Sequence, residues 1–208
     1  MSRLILYHCA GGRSFRPLWA MEELGLDYEL RVLAFPPRLA EPTYLEENPL
    51  GTIPLLIDGD TRMRESVMIG HYLAVRTTSD LAVSADEPEY GRYLDALAYG
   101  ETTLGWPQGM ALFYGFFRPE AQRKTDVVQD MRDRLGVMFA DLDTMLGERE
   151  YIAAERFTMA DVSIGYALKL SAFVGVAAFD ATSDRVKAYF ARLAERPAYR
   201  RALARDAG

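Results

Sequence analysis

The chain has 208 residues, of which 50% are hydrophobic and 12% aromatic, and its formal net charge at pH 7 is −6. This composition predicts a cytoplasmic globular protein with a sizeable core, and the scattered basic residues argue against a nucleic-acid partner. One cysteine and two histidines exclude an internal disulfide and argue against a metal site, and we expect neither a secretion signal nor a membrane-spanning segment.

The first 76 residues alternate between strand and helix signals. Strands are expected over residues 3–7, 28–33, 53–57 and 61–64, and an Asp-Gly turn joins the last two. Helices are expected over residues 14–24, 42–47 and 67–75, because their apolar residues recur at helical spacing. This order predicts a βαβαββα domain that spans residues 1–78.

The second half of the chain has only helical patterns. Residues 79–89 are polar and have no apolar period, which is typical of a linker, and residues 90–208 are expected to form an all-helical domain. Helices are expected over about 88–117 with a kink at Pro107, then over 119–146, 159–174, 184–193 and 197–205. Thr158 and Asp161 form a variant capping box at the start of one of them. The predicted fold class is therefore α+β or α/β, a small βαβαββα domain followed by a helical bundle.

Several short motifs resemble, in order and spacing, those of cytosolic-type, bacterial-like glutathione S-transferases. They are residues 19–26 (WAMEELGL), 48–54 (NPLGTIP), 58–59 (DG), 65–66 (ES), 158–161 (TMAD) and 196–199 (RPAY). The resemblance covers nearly the whole chain. It implies a thioredoxin-like first domain, glutathione as co-substrate, no metal, and a homodimer.

The resemblance also implies where glutathione binds. Pro54 would follow a cis bond, and glutathione would pair as an added strand with the backbone of Thr52, Ile53 and Pro54. Ser66, at the mouth of a helix, would bind the γ-glutamyl carboxylate, and Glu65 would accept from the ammonium group. From the residues alone, the alternative is that Glu65 and Ser66 only cap that helix, since acidic and hydroxyl residues favour such positions.

A transferase of this family must stabilise the glutathione thiolate, because a thiol with a pKa of ~8.5 is mostly protonated near neutrality. The candidate donors are Tyr7 and Ser14, with Arg13 as a supporting cation, since Gly11 occupies the place where other members have serine or cysteine. Tyr7 is alternatively a packed strand residue, and Ser14 a helix cap. Cys9 is a weaker candidate that also fits a small buried position.

The second substrate is expected to be a small hydrophobic electrophile bound between the two domains. Trp106, Met110 and Tyr114 lie at helical spacing and are the candidate acceptor pocket, although such a stripe also fits a helical core. The leading hypothesis is a glutathione transferase of alkyl or aryl groups that acts in detoxification. The open alternatives are a glutathione-dependent isomerase, an ether-cleaving enzyme, and a non-catalytic glutathione-fold binding or regulatory protein.

Overall fold

The computed structural model describes residues 3–173 and 179–206. The chain forms two compact units: the first contains the residues up to Ala82 together with those from Glu195 onward, and the second is Val83–Ala194. The C-terminal segment therefore belongs to the first unit, whereas the sequence analysis grouped it with the helical domain. Within the described residues, no helix is both long enough and apolar enough to cross a membrane.

A four-stranded mixed sheet with the strand order β2-β1-β3-β4 is the centre of the first unit. Its strands are β1 (Leu4–His8), β2 (Tyr28–Val32), β3 (Leu55–Asp58) and β4 (Thr61–Met63). β1 is parallel to β2 and antiparallel to β3, and β3 is antiparallel to β4. A parallel pair needs a crossover connection, and the helix between β1 and β2 supplies it.

The helices that follow the strands in the first 76 residues confirm the βαβαββα order, with one short helix added before the third strand. They are α1 (Phe15–Glu23), α2 (Pro37–Ala40), α3 (Tyr44–Glu47) and α4 (Ser66–Arg76). The short α2 was not expected, because the Pro-Pro pair reads as a break in the chain. Proline is nevertheless tolerated in the first turn of a helix, where its missing N–H has no partner to lose.

The second unit is helical, as predicted. Its α-helices are α5 (Tyr90–Tyr99), α6 (Trp106–Leu112), α7 (Thr125–Leu146), α8 (Met159–Phe173) and α9 (Asp184–Ala194). Instead of one long helix kinked at Pro107, π-helical segments flank α6 at Gly100–Gly105 and Phe113–Phe117. The wider π spacing just before Pro107 accommodates a residue that lacks an N–H and crowds the preceding turn. The predicted end of α8 at Val174 lies outside the described residues.

One half of the predicted capping box at the start of α8, the reach of Asp161 back to Thr158, is seen in the structure, and both residues are fully buried. Asp161 reaches back to accept from the Thr158 N–H at 2.8 Å and from the Thr158 hydroxyl at 3.1 Å. Its other oxygen accepts from the Ile152 N–H at 3.0 Å and from the Tyr189 hydroxyl at 2.7 Å. Burial raises the pKa of Asp161 to about 6 in spite of these four donors. The box therefore anchors the preceding loop and α9, in addition to starting α8.

The last helix, α10 (Pro197–Asp206), packs on α1 of the first unit. The Tyr199 ring meets Trp19 edge-on, with 4.9 Å between the ring centroids. Arg196 donates two hydrogen bonds to the Glu23 carboxylate, at 2.7 and 2.9 Å. An apolar contact and a bidentate ion pair thus hold α10 in place.

Candidate functional site

The loop that joins β1 to α1 is closed by Ser14. The Ser14 side chain is fully buried, and its hydroxyl accepts from the Cys9 N–H at 3.2 Å and lies 3.3 Å from the Cys9 carbonyl, to which it donates. The Gly12 N–H donates to the same carbonyl at 3.0 Å. Although Ser14 occupies the N-cap position of α1, its side chain makes no capping hydrogen bond. In this structure the Ser14 hydroxyl therefore stabilises the loop and does not cap the helix.

The two glycines of this loop each have a distinct role. Gly11 has a φ of +68°, a left-handed conformation that favours glycine, and its N–H donates to Asp206 Oδ1 at 2.9 Å. A Cβ added at Gly12 would lie 2.7 Å from Ile53 Cδ1 and 3.0 Å from the Cys9 carbonyl oxygen. A side chain at residue 12 would therefore crowd the end of the Ile53 side chain and the Cys9 carbonyl.

Tyr7 is buried near the end of β1 and has a cationic neighbour. Its hydroxyl accepts from Arg31 Nη1 at 2.6 Å, and Arg31 Nε also donates to Glu29 at 2.6 Å. The Tyr7 ring packs on Tyr44 with 5.0 Å between the centroids, in a cluster that also includes Ile53. The structure thus brings Tyr7 and Ile53 together. Since the hydroxyl is the acceptor towards Arg31, its own proton remains to be donated.

The segment before β3 is held by two side chains that the sequence analysis did not single out. The Thr52 carbonyl accepts from the Tyr44 hydroxyl at 2.6 Å and from Asn48 Nδ2 at 2.7 Å. The Ile53–Pro54 bond is cis, and Ile53 lies beyond the last residue pair of the β1–β3 ladder. The Ile53 backbone is therefore held in a defined position, and its N–H and C=O groups take no part in the β1–β3 ladder.

Glu65 and Ser66 begin α4 in different environments. Glu65 is exposed at the N-cap position and makes no capping hydrogen bond, contrary to what the capping interpretation requires. Ser66 is buried, and its hydroxyl accepts from Arg16 Nη1 at 3.2 Å. Arg16 is itself only 1% exposed, so a buried cation lies next to the unpaired N–H groups of the α4 N-terminus. This combination suits a carboxylate.

The titratable side chains beside the loop are not poised for nucleophilic attack. Burial raises the pKa of the Cys9 thiol to about 11, so Cys9 stays protonated near neutrality. His8 is fully buried, and its Nε2 lies 3.3 Å from Asp206 Oδ1, off the line of a hydrogen bond. Arg13 is partly exposed on the same loop. The described part of the chain contains no group of three or more His, Cys, Asp or Glu residues arranged to hold a metal ion.

The candidate acceptor residues lie on the second unit. Trp106 is 53% exposed, whereas Met110 and Tyr114 are partly buried, and Arg118 lies over the Tyr114 ring at 5.3 Å. A cavity of about 440 Å³ is lined by neighbouring positions instead, namely Ala111, Leu112, Gly115, Phe116, Arg123, Thr125, Val128, Gln129 and Arg132. The helical spacing identified the segment, but it did not indicate which face of that segment borders the cavity.

Two family models match the chain. "Glutathione S-transferase, N-terminal domain" matches residues 13–76, and "Glutathione S-transferase, C-terminal domain" matches residues 106–197. The first match includes Ser14, Ile53 and Ser66, but it begins after Tyr7. The family pattern therefore covers the glutathione-site candidates and leaves Tyr7 outside.

Curated relatives and solved structures agree with these matches. Glutathione S-transferase 1 of Schizosaccharomyces pombe is 30% identical over 162 residues, which cover 75% of this chain and 70% of that protein. Glutathione S-transferase 1 of Zea mays is 29% identical over 194 residues, 89% of this chain and 88% of that protein. The structure of glutathione transferase URE2P6 from Phanerochaete chrysosporium, in complex with oxidized glutathione, is 27% identical with a TM-score of 0.82 and covers 99% of this chain and 97% of that one.

Proposed function

Since the chain belongs to the glutathione S-transferase family, we propose that it activates the glutathione thiol for attack on a small hydrophobic electrophile. The observation that carries this proposal is the position of Ile53, whose backbone lies beyond the sheet ladder and whose side chain reaches Gly12 of the loop after β1. An extended peptide can pair with such an edge. The URE2P6 relative, solved with oxidized glutathione, supports the choice of peptide.

Glutathione is recognised in this proposal by backbone pairing at one end and by charge at the other. The cysteinyl part pairs with the backbone of Ile53. The position of this backbone is fixed by the hydrogen bonds to the preceding Thr52 carbonyl. The γ-glutamyl carboxylate binds at Ser66, where the buried Arg16 guanidinium and the α4 N-terminus supply positive charge. The exposed Glu65 accepts from the γ-glutamyl ammonium group.

Thiol activation requires a donor to the sulfur, and we assign this role to Tyr7, with Arg13 as a supporting cation. The Tyr7 hydroxyl accepts from Arg31 and keeps its proton for the thiolate, whereas the Ser14 proton is directed to the Cys9 carbonyl. The thiol proton passes to solvent. The thiolate sulfur then bonds to the electrophilic carbon, and the leaving group departs with its bonding electrons.

The acceptor contacts are assigned to Trp106, Met110 and Tyr114. Trp106 and Tyr114 offer apolar rings with one polar atom each, which suits a hydrophobic electrophile that carries a polar substituent. The cavity of about 440 Å³ is formed by neighbouring positions and not by these three residues, and its volume is within the usual range of a small-molecule site, roughly 300–1,000 Å³. An isomerase or an ether-cleaving enzyme would use the same residues.

A non-catalytic glutathione-binding protein is the second candidate. The observation that favours it is the thiol-activating loop itself, where Gly11 has no side chain and the Ser14 hydroxyl is engaged by Cys9. Such a protein would retain the Ile53 and Ser66 contacts and lack turnover.

The test combines binding with turnover. We expect the protein to be retained on immobilised glutathione and to form a conjugate from 1-chloro-2,4-dinitrobenzene only when glutathione is present. Ser66→Ala should raise the KM for glutathione by about tenfold, because a contact to a charged group is lost. Retention without turnover on any electrophile would establish the non-catalytic alternative. Absence of retention and turnover would refute both.

A further inference from the structure

Asp206, in the last turn of α10, has a placement that the helix itself does not explain. A carboxylate at a helix C-terminus faces the negative end of the helix dipole, where a residue such as Arg205 is preferred. Asp206 is also only 6% exposed, and a buried carboxylate is costly unless it is hydrogen-bonded. Local helix energetics therefore disfavour this residue, so the reason for its presence lies in its partners.

Those partners are the end of β1 and the loop that follows it. Asp206 Oδ1 accepts from the Gly11 N–H at 2.9 Å and lies 3.3 Å from His8 Nε2. Gly11 is in the left-handed conformation, and its partly buried N–H, like any backbone donor removed from water, needs a hydrogen-bond acceptor. Asp206, which lies 195 positions further along the chain, supplies that acceptor.

The position of α10, and with it of Asp206, is fixed by contacts along the whole helix. Arg196 pairs with Glu23 at 2.7 and 2.9 Å, and Arg201 donates to the Glu22 carboxylate at 2.8 Å and to its carbonyl at 2.8 Å. The first turns of α10 thus anchor the helix on α1. The last turn of α10 is thereby held in a defined position, in which the Asp206 carboxylate reaches the loop.

The loop that Asp206 contacts also packs against the proposed glutathione edge. Gly12 follows Gly11 and lies close to the end of the Ile53 side chain, where a Cβ on residue 12 would be 2.7 Å from Ile53 Cδ1, and Arg13 comes next. A shift of Gly11 would therefore move Gly12 against Ile53 and change the direction of Arg13 and of the loop N–H groups. The contact with Asp206 restrains the loop at Gly11, in addition to the hydrogen bonds between Ser14 and Cys9.

We propose that Asp206 is a positioning residue for thiol activation, which holds the Gly11–Arg13 loop against Ile53 through its hydrogen bond to the Gly11 N–H. This inference rests on the proposed function, since it concerns the thiolate of bound glutathione. Asp206 acts through the loop and does not contact the substrate.

The test compares Asp206→Ala with Asp206→Asn, whose side-chain oxygen can still accept from the Gly11 N–H. Arg200→Gln is the control, because Arg200 is exposed on the same helix and this substitution also changes the net charge by one. The thiolate absorbance of bound glutathione is titrated against pH, and kcat and KM are measured for the conjugation reaction. Hydrogen exchange of the Gly11 amide is followed in the unliganded protein.

In Asp206→Ala we expect thiolate formation at higher pH and a fall of about tenfold in kcat, with a nearly unchanged KM for glutathione, as for the loss of one charge-assisted hydrogen bond. The Gly11 amide should exchange faster. Asp206→Asn and Arg200→Gln should resemble the parent. If Asp206→Ala does not fold, Asp206→Glu displaces the carboxylate by one methylene and should shift the thiolate titration in the same direction.

Suppose that Asp206→Ala lowers the melting temperature but keeps the parental thiolate titration and kcat. Asp206 would then have only a structural role, and this inference would be overturned while the proposed function would stand. An unchanged titration in Asp206→Glu would do the same. A parent that binds glutathione without forming its thiolate would instead refute the proposed function, and the inference would fall with it.

Discussion

Two hydroxyl-bearing residues, Tyr7 and Ser14, flank the loop after β1 in the sequence, and their hydrogen bonds distinguish them. The Tyr7 hydroxyl accepts from Arg31 at 2.6 Å and keeps a proton to donate. The Ser14 hydroxyl lies between the N–H and the carbonyl of Cys9, at 3.2 and 3.3 Å. To act on a thiolate, Ser14 would first have to give up its contact with the Cys9 carbonyl.

Tyr7→Phe and Ser14→Ala should therefore differ in phenotype. Tyr7→Phe removes a donor and keeps the ring, so the thiolate of bound glutathione should form at higher pH with little loss of stability. Ser14→Ala leaves the buried Cys9 N–H without its acceptor and should lower the free energy of unfolding by about 1–3 kcal/mol. The measurements are a pH titration of thiolate absorbance and a thermal melt.

Tyr44→Phe is the matched control for Tyr7→Phe, because it removes the hydroxyl of the adjacent ring. It should weaken the hold on the Thr52 carbonyl and leave the thiolate titration unchanged. If the Ser14→Ala protein showed the shifted titration instead, the roles assigned to the two hydroxyls would have to be exchanged.

For single residues, the sequence indicated the candidates that would contact glutathione, but it did not indicate the residues that hold those candidates in place. Tyr7, Ser14 and Ser66 were visible because the family resemblance directs attention to hydroxyls at the end of the first strand and at the starts of the helices. Arg16 was not, since an arginine in the first turn of a helix is normally solvated. Only tertiary packing shows that it is 1% exposed beside Ser66. Asp206 was missed for the same reason.

Among the elements, α1 and α10 depend on each other through Glu22. Its carboxylate accepts from the Tyr28 hydroxyl at 2.6 Å and from Arg201 at 2.8 Å, and it pairs with Arg205 at 3.1 Å. Burial alone would raise the pKa of Glu22, but these donors and charges hold it below its ordinary value of 4.5. The charged carboxylate is therefore the form that the fold favours.

Glu22→Gln should accordingly lower the free energy of unfolding by about 1–2 kcal/mol at neutral pH, because a partly exposed pair contributes modestly. A depressed pKa stabilises the fold above the ordinary carboxyl pKa, and this contribution is lost as the pH falls through the lower, folded-state pKa. The difference from the parent should therefore shrink in acid. The check is a series of thermal melts between neutral and acidic pH.

Glu195→Gln is the control, since Glu195 is exposed in the same unit. It should melt like the parent at every pH. A Glu22→Gln deficit that stayed constant into acid would mean that lost packing, and not lost charge, causes it.

The order and type of the elements were predictable, because periods of about two and 3.6 residues separate strands from helices. The π-helical segments around α6 were not, since sequence spacing over residues 88–117 fits a continuous helix. The destination of α10 was also missed. An amphipathic pattern shows that one face of a helix is buried, but not which element buries it.

For the molecule as a whole, we propose a homodimer in which α4 contributes to the interface. Met68 and Val75, seven residues apart on α4, are 39% and 56% exposed. Sedimentation at micromolar concentration should give twice the chain mass of 23.4 kDa. Val75→Lys should shift the equilibrium towards monomer, because an interface core excludes an unpaired charge.

Val137→Lys is the comparison for this experiment, since Val137 is 72% exposed on α7 and is not assigned to the interface. It should sediment like the parent. A parent that sedimented only as monomer would refute the dimer. Equal behaviour of the two lysine variants would remove α4 from the interface.

The return of α10 to the first unit has a consequence for how the protein is made. A ribosome adds about 5–20 residues per second, so the 195 positions between Gly11 and Asp206 correspond to roughly 10–40 s of translation. During that interval the sheet and α1 can emerge and collapse, but the aromatic surface of α1 has no α10 to cover it. The nascent chain is therefore most exposed to chaperones and proteases while its second unit is being synthesised. The loop after β1 acquires its carboxylate contact only when the last turn of α10 leaves the exit tunnel.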